Sequence, residues 1–135
     1  MSLQLLIEWF VATLLVVTGV SHVLQPRLWA QLFIDVLQKP YGGLFIGAMT
    51  LPLGLFVALG HNVWVLRPPV IVTIVGWGWT IKGTIYMLYP QAMNKVATRH
   101  MAHPLRFIPA GALMVALGGV VIAYRLFIAS APIVQ

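Results

Sequence analysis

Between Pro69 and Pro90 the chain reads PVIVTIVGWGWTIKGTIYMLYP, an apolar run closed by a proline at each end with one cation, Lys82, inside it. About 20 apolar residues rising ~1.5 Å each cross a ~30 Å hydrocarbon layer, so this run spans a bilayer as a single helix. An ionisable side chain within a span costs about 2.5–3.5 kcal/mol on insertion scales and needs polar company or a route to water. Neighbouring helices have to supply that company, which constrains any bundle built around this one.

Three further runs of similar character lie at 3–24, 41–60 and 105–129, alongside the one at 69–90. Of the 135 residues 61% are hydrophobic and 7% charged, against about 25% charged in a soluble domain. The expectation is a single all-α domain, a polytopic bundle of four transmembrane helices with short loops. The formal charge of +6 comes from 8 Lys and Arg against 2 acids. These cations sit mostly in loops and at helix ends, where they set topology and meet lipid headgroups; no nucleic-acid partner is expected. The absence of cysteine excludes disulfides, thiolate metal sites and thiol catalysis. The amino terminus lacks the positive n-region of a signal peptide and is expected to be retained.

In the first span Glu8, Leu15, Gly19 and His22 fall on one helical face, which is expected to turn inward. Pro26 then suits the first turn of a short amphipathic helix lying in the interface plane. Its apolar side is Leu28, Trp29, Leu32, Phe33, Val36 and Leu37, opposite Arg27, Gln31, Asp35 and Gln38. The second span carries close-packing pairs, Gly43 with Gly47 and Gly54 with Ala58, and a proline, Pro52, expected to kink it. Ala112 with Ala116 and Gly119 with Ala123 offer similar faces on the fourth span. Met93, Val96, Ala97 and Met101 mark a second short interfacial helix before it.

The loops after the first and third spans hold Arg27, Lys39, Lys95, Arg99 and Arg106, whereas the other side holds Arg67 and Arg125. The positive-inside rule puts the richer side in the cytoplasm and both termini outside. At that orientation Lys82 is level with Thr18, Ser21 and His22, and its own helix brings Trp79 and Tyr86 at i−3 and i+4. One polar cluster of Thr18, Ser21, His22, Lys82 and Tyr86 is expected in the cytoplasmic half, and with Trp79 these six are the candidate ligand residues. Glu8 and Arg125 are level near the outer surface and form a candidate ion pair.

His100 and His103 share a helix face with no carboxylate or cysteine near them in sequence, so no metal site is expected. His22 and His61 lie near opposite membrane faces, which rules out paired haem ligation, and no other cofactor motif is present. Neither a nucleophile–base pair nor paired carboxylates occur, so a non-enzymatic role is expected. The leading reading is a small integral membrane subunit or scaffold, homo-oligomeric or bound to other membrane subunits and to lipids. The alternative is a binder or carrier of a small amphiphile (a lipid or quinone) or an ion at the Lys82/His22 cluster. The two halves show no inverted repeat of the kind carriers use.

The run His61-Asn62-Val63-Trp64, with Thr73, Gly76-Trp77, Lys82-Gly83 and Tyr89-Pro90, resembles a signature of small bacterial integral membrane proteins. The first span, ending Gly19-Val20-Ser21-His22 before Pro26, is similar to the layout of DoxX-like four-helix proteins. The resemblance implies a four-helix fold in the bacterial inner membrane. Some DoxX-like proteins are tied to quinone-linked oxidation, a role for which these residues show no redox site.

Overall fold

The computed structural model describes residues 1–130, which form an all-α four-span bundle. Helix α1, Leu3–Leu24, starts where the Ser2 hydroxyl accepts the Leu5 N–H at 3.2 Å. It stops at Leu24, because Pro26 disfavours helical geometry in its predecessor; Gln25 sits at φ −131°, ψ 51°. Pro26 opens the short helix α2, Pro26–Leu37, and α3, Gly42–Gly60, returns across the bundle. Helix α4, Val70–Leu88, ends at an equivalent corner, Tyr89 at φ −130°, ψ 55°, and Pro90 opens α5, Pro90–Met101. A 3-10 turn at Pro104–Arg106 leads into α6, Phe107–Ser130. The long helices α1, α3, α4 and α6 are each apolar enough to cross a membrane, and α2 and α5 lie together at one end.

The two halves of the chain are built alike. A constant shift of 64 residues, Pro26 to Pro90, carries α2 onto α5 with identical length, α1 onto α4, and α3 onto the first part of α6. The same shift pairs Gly19 with Gly83, Pro40 with Pro104, Gly47 with Gly111, Gly54 with Gly118 and Val57 with Val121. Each half holds two spans, so both begin at the same end of the bundle. The repeat is therefore parallel, related by an axis along the helices, and not the inverted kind.

Packing follows that relation. The two extensive interfaces are α1 against α6 and α3 against α4, which the shift exchanges. A Cβ added at Gly19 would lie 2.6 Å from the Gly111 carbonyl oxygen, and one at Gly118 would lie 2.6 Å from that of Ala12. At the other interface a Cβ at Gly83 would lie 2.6 Å from Leu51 Cα, and one at Gly54 would lie 2.7 Å from the Trp79 carbonyl carbon. In lipid, association rests on such close approach, because the surrounding tails are as apolar as the side chains. One core joins Ile7, Val11, Ala12 and Leu15 to Val57, Val72 and Val121, and a second near the short helices centres on Leu37, Tyr86 and Ala97.

On α6 one expectation changes, and α2 and α3 show further detail. On α6 the packing face is Gly111 and Gly118, while Ala112, Ala116 and Ala123 are exposed and Gly119 faces open space. The apolar stripe of α2 divides, with Leu37 buried, Trp29, Phe33 and Val36 half-buried, and Leu28 and Leu32 exposed. Pro52 lies on the exposed side of α3, which continues through it as one helix.

Candidate functional site

Two polar centres sit at opposite ends of the bundle. At the end away from the short helices, the buried Glu8 carboxylate takes donors from two helices. Its Oε1 accepts from Arg125 Nη2 at 2.6 Å and His61 Nε2 at 2.9 Å, and its Oε2 accepts from Arg125 Nε. A carboxylate oxygen only accepts, so Nε2 of His61 carries the proton there. The other ring nitrogen, Nδ1, lies 3.0 Å from the Thr73 hydroxyl. That hydroxyl also accepts the Val63 N–H at 3.1 Å, and its one proton is offered to the ring nitrogen and to the Val63 carbonyl at 3.0 Å. His61 and Thr73 are fully buried, and Arg125 is 26% exposed and balances the carboxylate charge.

His61 and Arg125 occupy equivalent positions under the 64-residue shift, so the two halves converge on one carboxylate. The counterpart of Glu8 is Val72, which lies in the apolar core. The centre ties together α1, the ends of α3 and α6, and the first turn of α4. Every oxygen and ring nitrogen in it has a partner within the protein, which suits a structural clamp. Sequence reasoning paired Glu8 with Arg125 by depth and left out His61 and Thr73. The available signal was depth again: His61 directly follows the span at the level of Glu8, and Thr73 lies one turn into the next.

At the short-helix end a cavity of about 190 Å³ opens between α4 and α6, which lack extensive packing against one another. Lys82 projects from α4, Arg106 from the 3-10 turn, His100 from α5 and His22 from α1, with Phe33, Met101 and Phe107 forming the apolar wall. His22 is stacked on Trp29 with ring centres 4.3 Å apart and lies 5.3 Å from Phe107; Phe33 lies 5.9 Å from Phe107. Arg106 Nη1 donates to His100 Nδ1 at 3.0 Å, because a guanidinium has no acceptor. His22 Nδ1 donates to the Thr18 carbonyl at 2.8 Å. The Lys82 ammonium lies 5.8 Å from the Tyr86 ring centre.

The six candidate residues are thus divided. His22 and Lys82 share the cavity and Tyr86 supports Lys82, but Thr18 contributes only its backbone oxygen. Ser21 accepts the Trp29 indole N–H at 2.9 Å on a separate groove along α2, and Trp79 packs against the core at the other end. Lys82 is exposed at the cavity rim, not buried among the first-span hydroxyls. The cause is the short helices: α2 covers the end of α1, while α5 and the 3-10 turn bring His100 and Arg106 to Lys82 instead.

The internal repeat supplies a comparison for this cavity. The shift maps Lys82, His100 and Arg106 onto Thr18, Val36 and Gly42, and maps Phe107 onto Gly43. At the equivalent place Leu37, Tyr86 and Ala97 are buried with Ile46 against them, and the groove that opens beside Val36 and Ile46 is lined by apolar side chains and Thr50. The fold therefore keeps this place uncharged in one half, while in the other it lines it with Lys82, His100 and Arg106. No carboxylate lines the cavity among the described residues.

Comparison of the chain with protein-family models, characterised proteins and solved structures gives no match.

Proposed function

We propose that this is a small non-enzymatic membrane protein that holds the anionic headgroup of an amphiphile in the cavity between α4 and α6. The observation that carries the reading is the asymmetry between the halves. Three positions that are uncharged in the first half (Thr18, Val36 and Gly42) are Lys82, His100 and Arg106 in the second, around an open space. Clustered cations with no acidic partner attract an anion, and the aromatic wall and apolar flanks suit its hydrophobic part. Lys82 lies six residues, about 9 Å, inside the end of α4, a depth its long side chain bridges toward the headgroup layer. The excess of basic residues in its loops supports a cytoplasmic position for this end, in a bacterial inner membrane, as does the resemblance to DoxX-like proteins.

Native mass spectrometry from nanodiscs containing equal phosphatidylglycerol and phosphatidylcholine tests the reading. The wild type is expected to retain phosphatidylglycerol preferentially. Each basic residue near an anionic surface contributes about 1 kcal/mol, so Lys82→Gln with Arg106→Gln should lower retention about tenfold or more. Arg27→Gln with Lys95→Gln removes two cations at the same end but outside the cavity and should have a much smaller effect. Equal losses in the two double variants would replace the site with a general electrostatic attraction.

A further inference from the structure

Resting on that reading, we infer that the headgroup is one that carries a free hydroxyl beside its phosphate, as in a glycerol-type anionic phospholipid. The inference comes from His22. Its Nδ1 faces a backbone carbonyl, which only accepts, so Nδ1 holds the ring proton and Nε2 of the neutral imidazole is a lone-pair acceptor. Trp29 stacks on the ring and Phe107 lies tilted against it, and His22 lines the cavity. Among the described residues Nε2 has no hydrogen-bond partner, and it is not sealed from solvent.

The rest of the polar lining donates. Lys82 and Arg106 have no acceptor atom, and His100, whose Nδ1 accepts from Arg106, carries its proton on Nε2. The cavity thus presents three donors for a phosphate and one acceptor nearer the stacked rings. An anionic phosphodiester satisfies the donors but has no proton for Nε2. A headgroup hydroxyl supplies that proton. An ethanolamine ammonium also donates, but it brings a positive charge among Lys82 and Arg106, where like charges repel. At the equivalent place the position of His22 is taken by its repeat mate, Tyr86, which is buried against Leu37 and Ala97.

Glycerol phosphate also exists as a soluble species with the same chemistry. The membrane-embedded form is favoured because the exposed side chains of Lys82 and Ala110 flank the opening on two spans apolar enough to cross a membrane.

The test compares phosphatidylglycerol with phosphatidylmethanol of the same acyl chains, two anionic phosphodiesters that differ in the headgroup hydroxyls. In nanodiscs holding both, the wild type should retain phosphatidylglycerol about threefold to tenfold over phosphatidylmethanol, the worth of one neutral hydrogen bond. His22→Phe keeps a ring between Trp29 and Phe107 and removes the acceptor; its ratio should fall to about one, with folding checked by circular dichroism. The wild-type comparison stands without any variant. Equal wild-type retention of the two lipids, both above phosphatidylcholine, overturns the hydroxyl inference while leaving the anion site. Retention of neither above phosphatidylcholine overturns the site itself. Displacement of phosphatidylglycerol by an equal concentration of glycerol 3-phosphate would assign the site to the soluble ligand and overturn the lipid form.

Discussion

Arg125 closes the bundle onto Glu8 with two guanidinium donors on the two carboxylate oxygens, joining the first and last helices across 117 residues of sequence. The same carboxylate accepts from His61, the residue that the internal repeat places opposite Arg125. One acidic side chain near the symmetry axis thereby receives an equivalent donor from each half. Removing one partner of a buried pair costs about 3–5 kcal/mol because the remaining charge is left uncompensated. Arg125 is partly exposed, which moves the expectation to the low end. Arg125→Gln should therefore lower unfolding free energy by about 2–3 kcal/mol. Glu8→Gln should have a comparable effect, and the double variant should lose less than the sum. A double-mutant cycle in mild detergent checks this, and strict additivity would show that the two are uncoupled.

His61 depends on Thr73 for its second ring nitrogen, and the same hydroxyl takes the Val63 N–H. Thr73→Val keeps the shape and removes both partnerships, leaving buried polar groups unsatisfied at a cost of about 1–3 kcal/mol. Thr73→Ser restores the hydroxyl and should recover most of that loss. Thermal unfolding of the three proteins in one detergent decides the point; equal stability of the valine and serine variants would dismiss the hydroxyl.

Close approach of α1 and α6 at Gly19 and Gly111 gives a sharper contrast. A Cβ at Gly111 would meet the Gly19 carbonyl oxygen and the His22 side chain, whereas one at Gly119 meets nothing within 4 Å. Gly111→Val should destabilise by about 1–3 kcal/mol through overpacking. Gly119→Ala should be neutral or slightly stabilising, since glycine is the poorer helix former. If both changes behave alike in a detergent unfolding assay, the α1–α6 interface is not the one described.

Orientation is tested with cysteines in a chain that has none of its own. Gln38, Lys95 and Leu66 are exposed, the first two at the short-helix end and the third in the opposite connection. Cysteines at Gln38 and Lys95 should resist an impermeant thiol reagent in intact cells, and one at Leu66 should react. The reverse pattern would turn the protein over and place the cationic cavity on the outer side.

Spans, corners and the pairing of Glu8 with Arg125 were legible in the chain because each rests on a local or one-dimensional property. Length and hydropathy define the four crossings, Pro26 and Pro90 end α1 and α4 through their own ring geometry, and depth along a span follows from a fixed rise per residue. Lys82 was legible as a residue in need of polar neighbours, but not which ones. Depth matching offers every group at one level equally, and it proposed Thr18 and Ser21. Only the packed structure decides azimuth, the direction in which each helix turns its side chains. It gave Ser21 to Trp29 and surrounded Lys82 with His22, His100 and Arg106. The same reason hid the repeat: Gly19 with Gly83 and Gly47 with Gly111 are ordinary apolar-helix glycines until two interfaces with the same contacts show that the spacing between them is one constant shift.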